Sequence, residues 1–298
     1  MDPGYHLSRF PIIGVNLLTC NLRSMPEMKQ WTEFCLQSLR ESDLLDFPHY
    51  IVVVDNGSDD GTVEWLQAQE GLFVLPQGKN VGIAQGRNIG HRHLLSGLPH
   101  RPEYIVEIHN DHLFPGQWLR PLVCLLEEDQ AVGIACSSLV TNKGYFGSPV
   151  LSIMPSMGYR NCRTRVEQQA ARMREPVVKP GLQHPCLKRV SVMEQVGLYD
   201  EGMVGSNWED VEDCYRWYKA GHQIMVHRGS VVYHYYCKSR QQIEGAAFDD
   251  HFYRNKERYY ALHPEDAHLF LILFSRWLEP RGGVYDRAVP PPRSRLRG

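Results

Sequence analysis

The sequence lacks a CxxC pair, a long apolar run and an excess of either charge. Its eight cysteines are scattered along 298 residues, which predicts reduced, mostly buried thiols rather than a disulfide framework or a zinc site. No stretch reaches the roughly 18 apolar residues of a membrane span, and no signal-peptide pattern begins the chain. The formal net charge of −2 argues against a nucleic-acid partner. We therefore expect a cytoplasmic protein, with at most peripheral contact to the inner face of a membrane.

Two common phosphate-binding loops are also missing. The sequence has no GxxxxGK(S/T) segment, and no GxGxxG follows its first apolar run. A bound nucleotide would therefore be held differently from the way P-loop enzymes and dinucleotide-binding domains hold it.

Apolar runs alternate with amphipathic stretches through the first half of the chain. The predicted strands are 11–19, 51–54, 72–75, 104–108 and 132–135, with helices at 26–40, 62–69, 118–126 and around Arg87. This alternation predicts an α/β fold with a mostly parallel central sheet flanked by helices. Later in the chain we predict a helix at 208–220, strands at 224–226 and 231–236, and closing helices at 248–262 and 267–278.

Residues 146–185 interrupt this rhythm. They are rich in Gly, Pro, Ser and Arg and show little periodicity. The stretch fits either a substrate-facing insertion or a solvated segment.

The stretch around which the chain is organised is 104–113. An apolar strand broken only by Glu107 ends in His109-Asn110-Asp111-His112. A buried strand that delivers a carboxylate to its C-terminal end is typical of ligand sites in open α/β sheets. Asp111 offers the hard oxygen ligand that Mg²⁺ or Mn²⁺ prefers.

Four polar clusters follow predicted strands or open helices, and a parallel sheet brings such positions to one edge. They contain Thr19, Asn21 and Arg23; Asp55 and Asn56; Arg87; and Asn110 with Asp111. The carboxylate and amide side chains suit a base edge or a ribose hydroxyl, and the arginines suit phosphate oxygens.

A second acidic group stands at 208–213, Trp-Glu-Asp-Val-Glu-Asp. Acids at a helix start are partly explained by the helix dipole, and this explanation stays open for Glu212 and Asp213. An indole beside carboxylates also suits a sugar-binding surface, which makes Trp208 and Glu209 candidates for acceptor binding. A carboxylate here could deprotonate an acceptor hydroxyl group. Further on, His234 in an aromatic strand is either a core histidine or a residue that returns to the metal edge.

Six motifs in this order resemble family 2 glycosyltransferases of the GT-A fold. They are 53–62, 80–82 with 87–90, 109–111, 196–201, 208–213 and 232–234, and the resemblance covers about residues 11–236. The family's metal-binding DxD signature lies at 109–111, where His109 or Asn110 replaces the first acid. The family also often has Asp where Asn56 stands.

The resemblance implies an inverting glycosyltransferase with Asp210 as general base. Mn²⁺ or Mg²⁺ would be bound by Asp111 and His234, and the residues of the four clusters would hold a UDP-, GDP- or dTDP-sugar. The acceptor would be a glycan, a lipid-linked saccharide or another hydroxyl compound.

The expected domains are a GT-A catalytic domain at 1–240, a helical extension at 241–280 and a disordered tail at 281–298. Within the catalytic domain, residues 11–140 would bind the nucleotide sugar and residues 141–240 the acceptor.

Two alternatives remain at this point. A nucleotidyltransferase would need a Gly-rich, basic loop after the first strand, and that loop is absent. A degenerate sugar- or nucleotide-binding module is compatible with the incomplete DxD signature.

Overall fold

A computed structural model describes residues 7, 9–144, 148–236, 245, 247–268 and 270–271. Nine strands and eight α-helices are present in this part of the chain. The strands are β1 Ile13–Thr19, β2 His49–Asp55, β3 Leu72–Pro76, β4 Tyr104–Ile108, β5 His112–Leu113, β6 Val132–Thr141, β7 Val178–Pro180, β8 Cys186–Arg189 and β9 Gln223–His234. The helices are α1 Pro26–Arg40, α2 Thr62–Gln67, α3 Ile83–Ser96, α4 Arg120–Glu128, α5 Tyr159–Met173, α6 Val190–Val196, α7 Glu209–Lys219 and α8 Ala247–Leu262.

All described strands join one sheet in the order β3-β2-β1-β4-β8-β6-β9-β5, with β7 paired to β9. Strands β1 to β4, β6 and β9 run in one direction, and β5, β7 and β8 run against them. The predicted α/β fold with a mostly parallel sheet is therefore confirmed. The antiparallel β8 lies between β4 and β6, and this insertion brings residues far apart in sequence to the middle of the sheet.

Side chains of the central strands alternate between two apolar layers. Ile51 and Val53 of β2 face a core built with α1 and α4, whereas Val52 and Val54 face the core on the α3 and α7 side. This period of two follows from the pleat of a strand. Because both faces are covered, the strands read in the sequence as continuous apolar runs.

The structure corrects several predicted boundaries. The predicted strand at 132–135 continues to Thr141, and the two predicted strands at 224–226 and 231–236 are one strand, β9, whose register against β6 shifts at Ser137/Ser138. Helix α4 begins at Arg120, two residues later than predicted, with a proline in its first turn.

The stretch at 146–185 is more regular than its composition suggested. It contains the 15-residue helix α5, which buries Cys162, Val166 and Ala170. These three residues are four apart, so they form one narrow stripe of a helix. Because its apolar side chains are small and stand among many arginines, this stripe is hard to recognise in the sequence as the buried face of a helix.

Parts of the C-terminal prediction lie outside the described residues, including most of the helix predicted at 267–278 and the tail at 281–298. The division into two halves at about residue 140 stays a prediction. Within the described part of the chain, no helix is long and apolar enough to cross a membrane. Seven described cysteines are free thiols, and all of them except Cys20 are buried.

Candidate functional site

One cleft of about 1250 Å³ lies at the edge where β1, β2 and β4 end. Its volume exceeds the roughly 300–1,000 Å³ typical of a site for one small ligand. Most residues predicted from the sequence line it. They are Thr19, Asn56, Arg87, Asn110, Asp111, Trp208, Glu209, Asp210 and His234.

A cluster of imidazole rings lies beside Asp111 in this cleft. Oδ1 of Asp111 lies 3.1 Å from Nε2 of His234, and Nδ1 of His109 lies 3.4 Å from the same nitrogen. The pairing of β5 with β9 produces these contacts, because His112 stands directly opposite His234 in that register. His184 stacks on His109 with ring centroids 4.7 Å apart.

The protonation state of these rings suits a cation. Burial, followed by the charge of neighbouring imidazoles, holds the pKa of both His109 and His112 well below its usual range. Neutral imidazole is the form that binds metal ions. The 3.1 and 3.4 Å separations around His234 match the edges of about 3.0–3.4 Å expected between neighbouring ligands bound at about 2.1 Å. His109, His112 and His234 each place a possible ligand atom within 4.8 Å of the others, and Asp111 adds a carboxylate beside His234, so this group of residues could hold a divalent cation.

A strained turn precedes Asp210. Asn207 and Trp208 have φ angles of +75° and +71°, in the left-handed region that costs energy for residues other than glycine. Asn255 of α8 holds this turn: its amide oxygen accepts from Val204 N, and its amide nitrogen donates to the carbonyls of Val204 and Asn207, each at 2.8 Å. Asp210 follows at the cleft, with 37% of its side chain exposed.

Ion pairs account for two other acids of this motif. Glu212 accepts two hydrogen bonds of 2.8 and 2.9 Å from Nε of Arg216. Asp213 accepts from Nζ of Lys188 at 2.8 Å. Both acids are buried, whereas Asp210 is open to the cleft. Asp210 thus differs from Glu212 and Asp213 because its carboxylate is exposed to the cleft and theirs are buried in ion pairs.

A buried network lies behind Asp210. Glu107 is fully buried and pairs with Nζ of Lys188 at 2.7 Å, and it accepts from the hydroxyl of Tyr199 at 2.7 Å. Burial alone would raise the pKa of Glu107, but Lys188, followed by His184 and then other histidine contacts, holds it well below its usual range. Nε2 of His184 lies 3.6 Å from Glu107 and 3.9 Å from Asp210. His184 thus lies between the buried charged network around Glu107 and the carboxylate of Asp210 at the cleft.

Two residues predicted to bind the nucleotide, Asn56 and Arg87, make hydrogen bonds that hold neighbouring backbone segments in place. Asn56 lines the cleft, and its side chain holds the loop before α3: its oxygen accepts from Val81 N at 2.9 Å and its nitrogen donates to Gly82 O at 3.2 Å. Arg87 is buried, and its guanidinium donates to the carbonyls of Asn16 at 2.6 Å and Ile108 at 2.8 Å. In this arrangement Arg87 ties the middle of β1 to the end of β4, and its predicted phosphate-binding role stays a prediction.

Three other predicted ligands do not line the cleft. The carboxylate of Asp55 is buried and accepts from the backbone N–H of Ser58 at 2.9 Å. Asn21 accepts from Asp59 N at 3.1 Å, and Arg23 is exposed and borders a separate, smaller groove. The loops after β1 and β2 bind each other through these contacts, and the nucleotide-binding role of the three residues stays a prediction.

One loop of the cleft wall, with Leu182, Gln183 and His184, was not predicted from the sequence. No motif marks these residues. Their position depends on β8, which pairs with β4 and so carries His184 next to His109. Long-range strand pairing of this kind leaves no local sequence signal.

Comparisons with known proteins agree with this architecture. The sequence model described as "Glycosyl transferase family 2" matches residues 26–184. No curated protein matches the chain by sequence.

Three solved structures resemble the fold, each at low sequence identity. GalNAc-T7 with UDP, GalNAc and Mn²⁺ has a TM-score of 0.56 and 14% identity, and the match covers 92% of this chain and 56% of that one. S. aureus TarS 1-349 has a TM-score of 0.51 and 16% identity, with 75% and 60% covered. The mannosyltransferase PcManGT from Pyrobaculum calidifontis, in complex with GDP-Man and Mn²⁺, has a TM-score of 0.50 and 16% identity, with 89% and 75% covered. The chain thus spans less than two thirds of the first two proteins.

Proposed function

The chain belongs to glycosyl transferase family 2, and on that basis we propose that it transfers a sugar from a nucleoside diphosphate donor to an acceptor hydroxyl group, with inversion. The observation that carries this proposal is the shared cleft. An open carboxylate, Asp210, and a carboxylate–imidazole pair, Asp111 and His234, line the same space at the C-terminal edge of the sheet. Asp210 is suited to removing a proton, and the Asp111–His234 pair is suited to binding a cation.

Asp111 and His234 would hold Mn²⁺ or Mg²⁺. A bound divalent cation would neutralise the charge that develops on the leaving diphosphate. The solved relatives with UDP or GDP-Man and Mn²⁺ support a donor of this class. Thr19 also faces the cleft, and its buried hydroxyl has no hydrogen-bond partner among the described residues, which supports a contact with the donor.

Asp210 would act as general base in a single displacement. The acceptor oxygen attacks the anomeric carbon, the bond from that carbon to the phosphate oxygen breaks, and the diphosphate leaves with the bonding electrons. The acceptor proton passes to the carboxylate of Asp210. Trp208 and Glu209 border the cleft beside Asp210, and we assign them to the acceptor side.

The test is a panel of UDP-, GDP- and dTDP-sugars incubated with the full chain, Mn²⁺ or Mg²⁺ and simple glycan acceptors. We expect release of the nucleoside diphosphate, and NMR of the product should show the opposite anomeric configuration from the donor. Release of pyrophosphate from a nucleoside triphosphate with a sugar phosphate would instead indicate a nucleotidyltransferase. Donor binding with neither turnover nor hydrolysis across the panel would indicate a binding module.

A further inference from the structure

A second group of metal-ligating side chains lies directly behind the cleft wall. Oε2 of Glu107 is 3.6 Å from Nε2 of His184 and 3.8 Å from Sγ of Cys186, and the three ligand atoms all lie within 4.8 Å of one another. Oδ1 of Asp210 is 3.9 Å from the same nitrogen of His184. A tetrahedral zinc ion, with bonds of about 2.0–2.3 Å, separates its ligands by roughly 3.3–3.7 Å. The distances from Glu107 and Asp210 therefore need to shorten by about half an ångström at most.

The two carboxylate oxygens of Glu107 have different neighbours. Oε1 accepts from Nζ of Lys188 at 2.7 Å and lies 3.0 Å from Nε2 of His91. Oε2 accepts from the hydroxyl of Tyr199 at 2.7 Å and, over 3.8 Å, from the thiol of Cys186. A thiol is a weak donor, and a carboxylate oxygen has two lone pairs. Oε2 can therefore keep its bond to Tyr199 and bind a metal ion in place of the thiol proton.

The charges around this group favour a cation. The network contains four carboxylates and two cationic side chains, which are Glu107, Asp210, Glu212, Asp213, Lys188 and Arg216. Four negative and two positive charges leave a surplus of two negative charges. A thiol that coordinates a metal ion is deprotonated, so a bound dication that releases the proton of Cys186 to solvent lowers this surplus to one.

We propose that Glu107, His184, Cys186 and Asp210 form a zinc site that inhibits the enzyme. The inhibition, but not the binding of zinc, rests on the function proposed above, in which Asp210 is the base. An oxygen of Asp210 that binds zinc no longer accepts the proton of the acceptor hydroxyl group. Thiolate ligands select Zn²⁺, whereas carboxylate ligands suit Mg²⁺ and Mn²⁺. Zinc can therefore bind here while another cation occupies the donor end of the cleft.

Zinc reaches the site from the cleft. His184 and Asp210 line the cleft, with 10% and 37% of their side chains exposed, and Glu107 and Cys186 are fully buried behind them. The ligands come from β4, from β8 and the loop before it, and from α7. The scattered cysteines predicted no zinc site, because these ligands meet only through the pairing of β8 with β4.

The first readout is the absorption of Co²⁺ added to the reduced full chain. A bound thiolate gives a sulfur-to-cobalt charge-transfer band in the near ultraviolet, and a site of carboxylates and imidazoles such as Asp111 and His234 gives none. We expect this band in the wild type, its loss on addition of Zn²⁺, and its absence in Cys186→Ala.

Two other cysteines supply matched controls. Cys136 of β6 stands directly opposite Cys186 in the register with β8 and is also fully buried. Cys20 lines the cleft itself. The charge-transfer band should persist in both Cys136→Ala and Cys20→Ala. Circular dichroism of each variant verifies that the fold is intact.

A fourth variant removes a ligand that is partly exposed. His184→Ala should keep the thiolate band but require more Co²⁺ to develop it. Loss of a residue that only supports a metal ligand costs about 10–100-fold in affinity, so loss of the ligand His184 should weaken binding at least about tenfold.

The second readout is inhibition of sugar transfer by Zn²⁺ in the presence of saturating Mn²⁺. Each variant is compared with its own rate without zinc. The zinc concentration that halves the rate should be at least about tenfold higher in Cys186→Ala than in Cys136→Ala.

A wild type without the thiolate band, or a band that persists in Cys186→Ala, would overturn the proposed site. Equal inhibition by zinc in Cys186→Ala and Cys136→Ala would reject its inhibitory role and leave the proposed activity intact. A band that depends on Cys186, without transfer from any donor, would keep the zinc site and reject the proposed activity, and the inhibition with it.

Discussion

Replacing Lys188 by methionine should destabilise the fold by about 3 kcal/mol. Its Nζ lies 2.7 Å from Glu107, 2.8 Å from Asp213 and 2.9 Å from the hydroxyl of Tyr199. Methionine has a similar length and no charge, so the substitution preserves volume and removes the cation. Two buried carboxylates then lose the positive charge that they share.

The magnitude follows from what remains. Removing one partner of a buried ion pair costs about 3–5 kcal/mol, because the other charge stays buried without compensation. Asp213 retains Arg216 at 3.2 Å, and Glu107 retains the Tyr199 hydroxyl at 2.7 Å. These contacts place the loss at the lower end of that range.

Urea unfolding of the wild type and two methionine variants measures the effect. The matched control is Lys219→Met, since Lys219 pairs with Asp266 at 2.6 Å on the surface, where 45% of its side chain is exposed. An exposed pair contributes at most about 1 kcal/mol. Equal losses in Lys188→Met and Lys219→Met would refute the reasoning, because Lys188 is buried between two carboxylates whereas Lys219 is exposed and pairs with one.

Three further predictions concern the acidic groups and the turn that presents Asp210. Asp210→Asn should lower kcat by about 10²–10⁴-fold with little change in nucleotide Kd, whereas Glu212→Gln should change stability rather than rate; equal rate losses in both would reject Asp210 as the base. Glu107→Gln should be most destabilising near pH 7 in denaturant titrations. The depressed pKa of Glu107 stabilises the fold at pH values above its unfolded-state pKa of about 4.3, and this stability is lost as the pH falls through the folded-state pKa. A loss of unfolding free energy that is constant down to pH 3.5 would contradict this. Asn255→Asp replaces the hydrogen bonds that the amide nitrogen donates to three carbonyls by repulsion, so kcat should fall while metal affinity, measured by Mn²⁺ titration, stays within about threefold. Unchanged kcat would show that the turn does not depend on this side chain.

Local patterns predicted most of the sheet, because its strands are buried on both faces and read as apolar runs. Helix α1 was equally clear, with a proline at its start and a wide stripe of large apolar residues. Helix α5 was not, since its buried face consists of Cys162, Val166 and Ala170. The size of the buried side chains thus decided which helices could be recognised.

The site divides in a similar way. Residues at strand ends, such as Asp111, could be located because a parallel sheet brings those ends together. The contacts that each side chain makes there could not be predicted, because they depend on residues from other loops. Arg87 shows this: its place in the sequence predicts phosphate binding, whereas its contacts with two backbone carbonyls in the structure have no local sequence signal. The position of His184 at the cleft depends on the insertion of β8 between β4 and β6, which no local sequence pattern predicts.

The predicted boundary at residue 240 separates Asp210 from a helix that supports it. Asn255 of α8 bonds to both ends of the turn at 204–207, and the buried ring of Tyr259 packs against Trp208 at 5.5 Å. The two left-handed residues before Asp210 cost energy, and such a conformation persists only when surrounding contacts hold it. In the described part of the chain α8 supplies those contacts, so the helix is part of the unit that positions Asp210, the proposed base. A chain that ends at residue 240 would lose these contacts while keeping every family motif, and the full chain is therefore the unit in which the function of Asp210 must be measured.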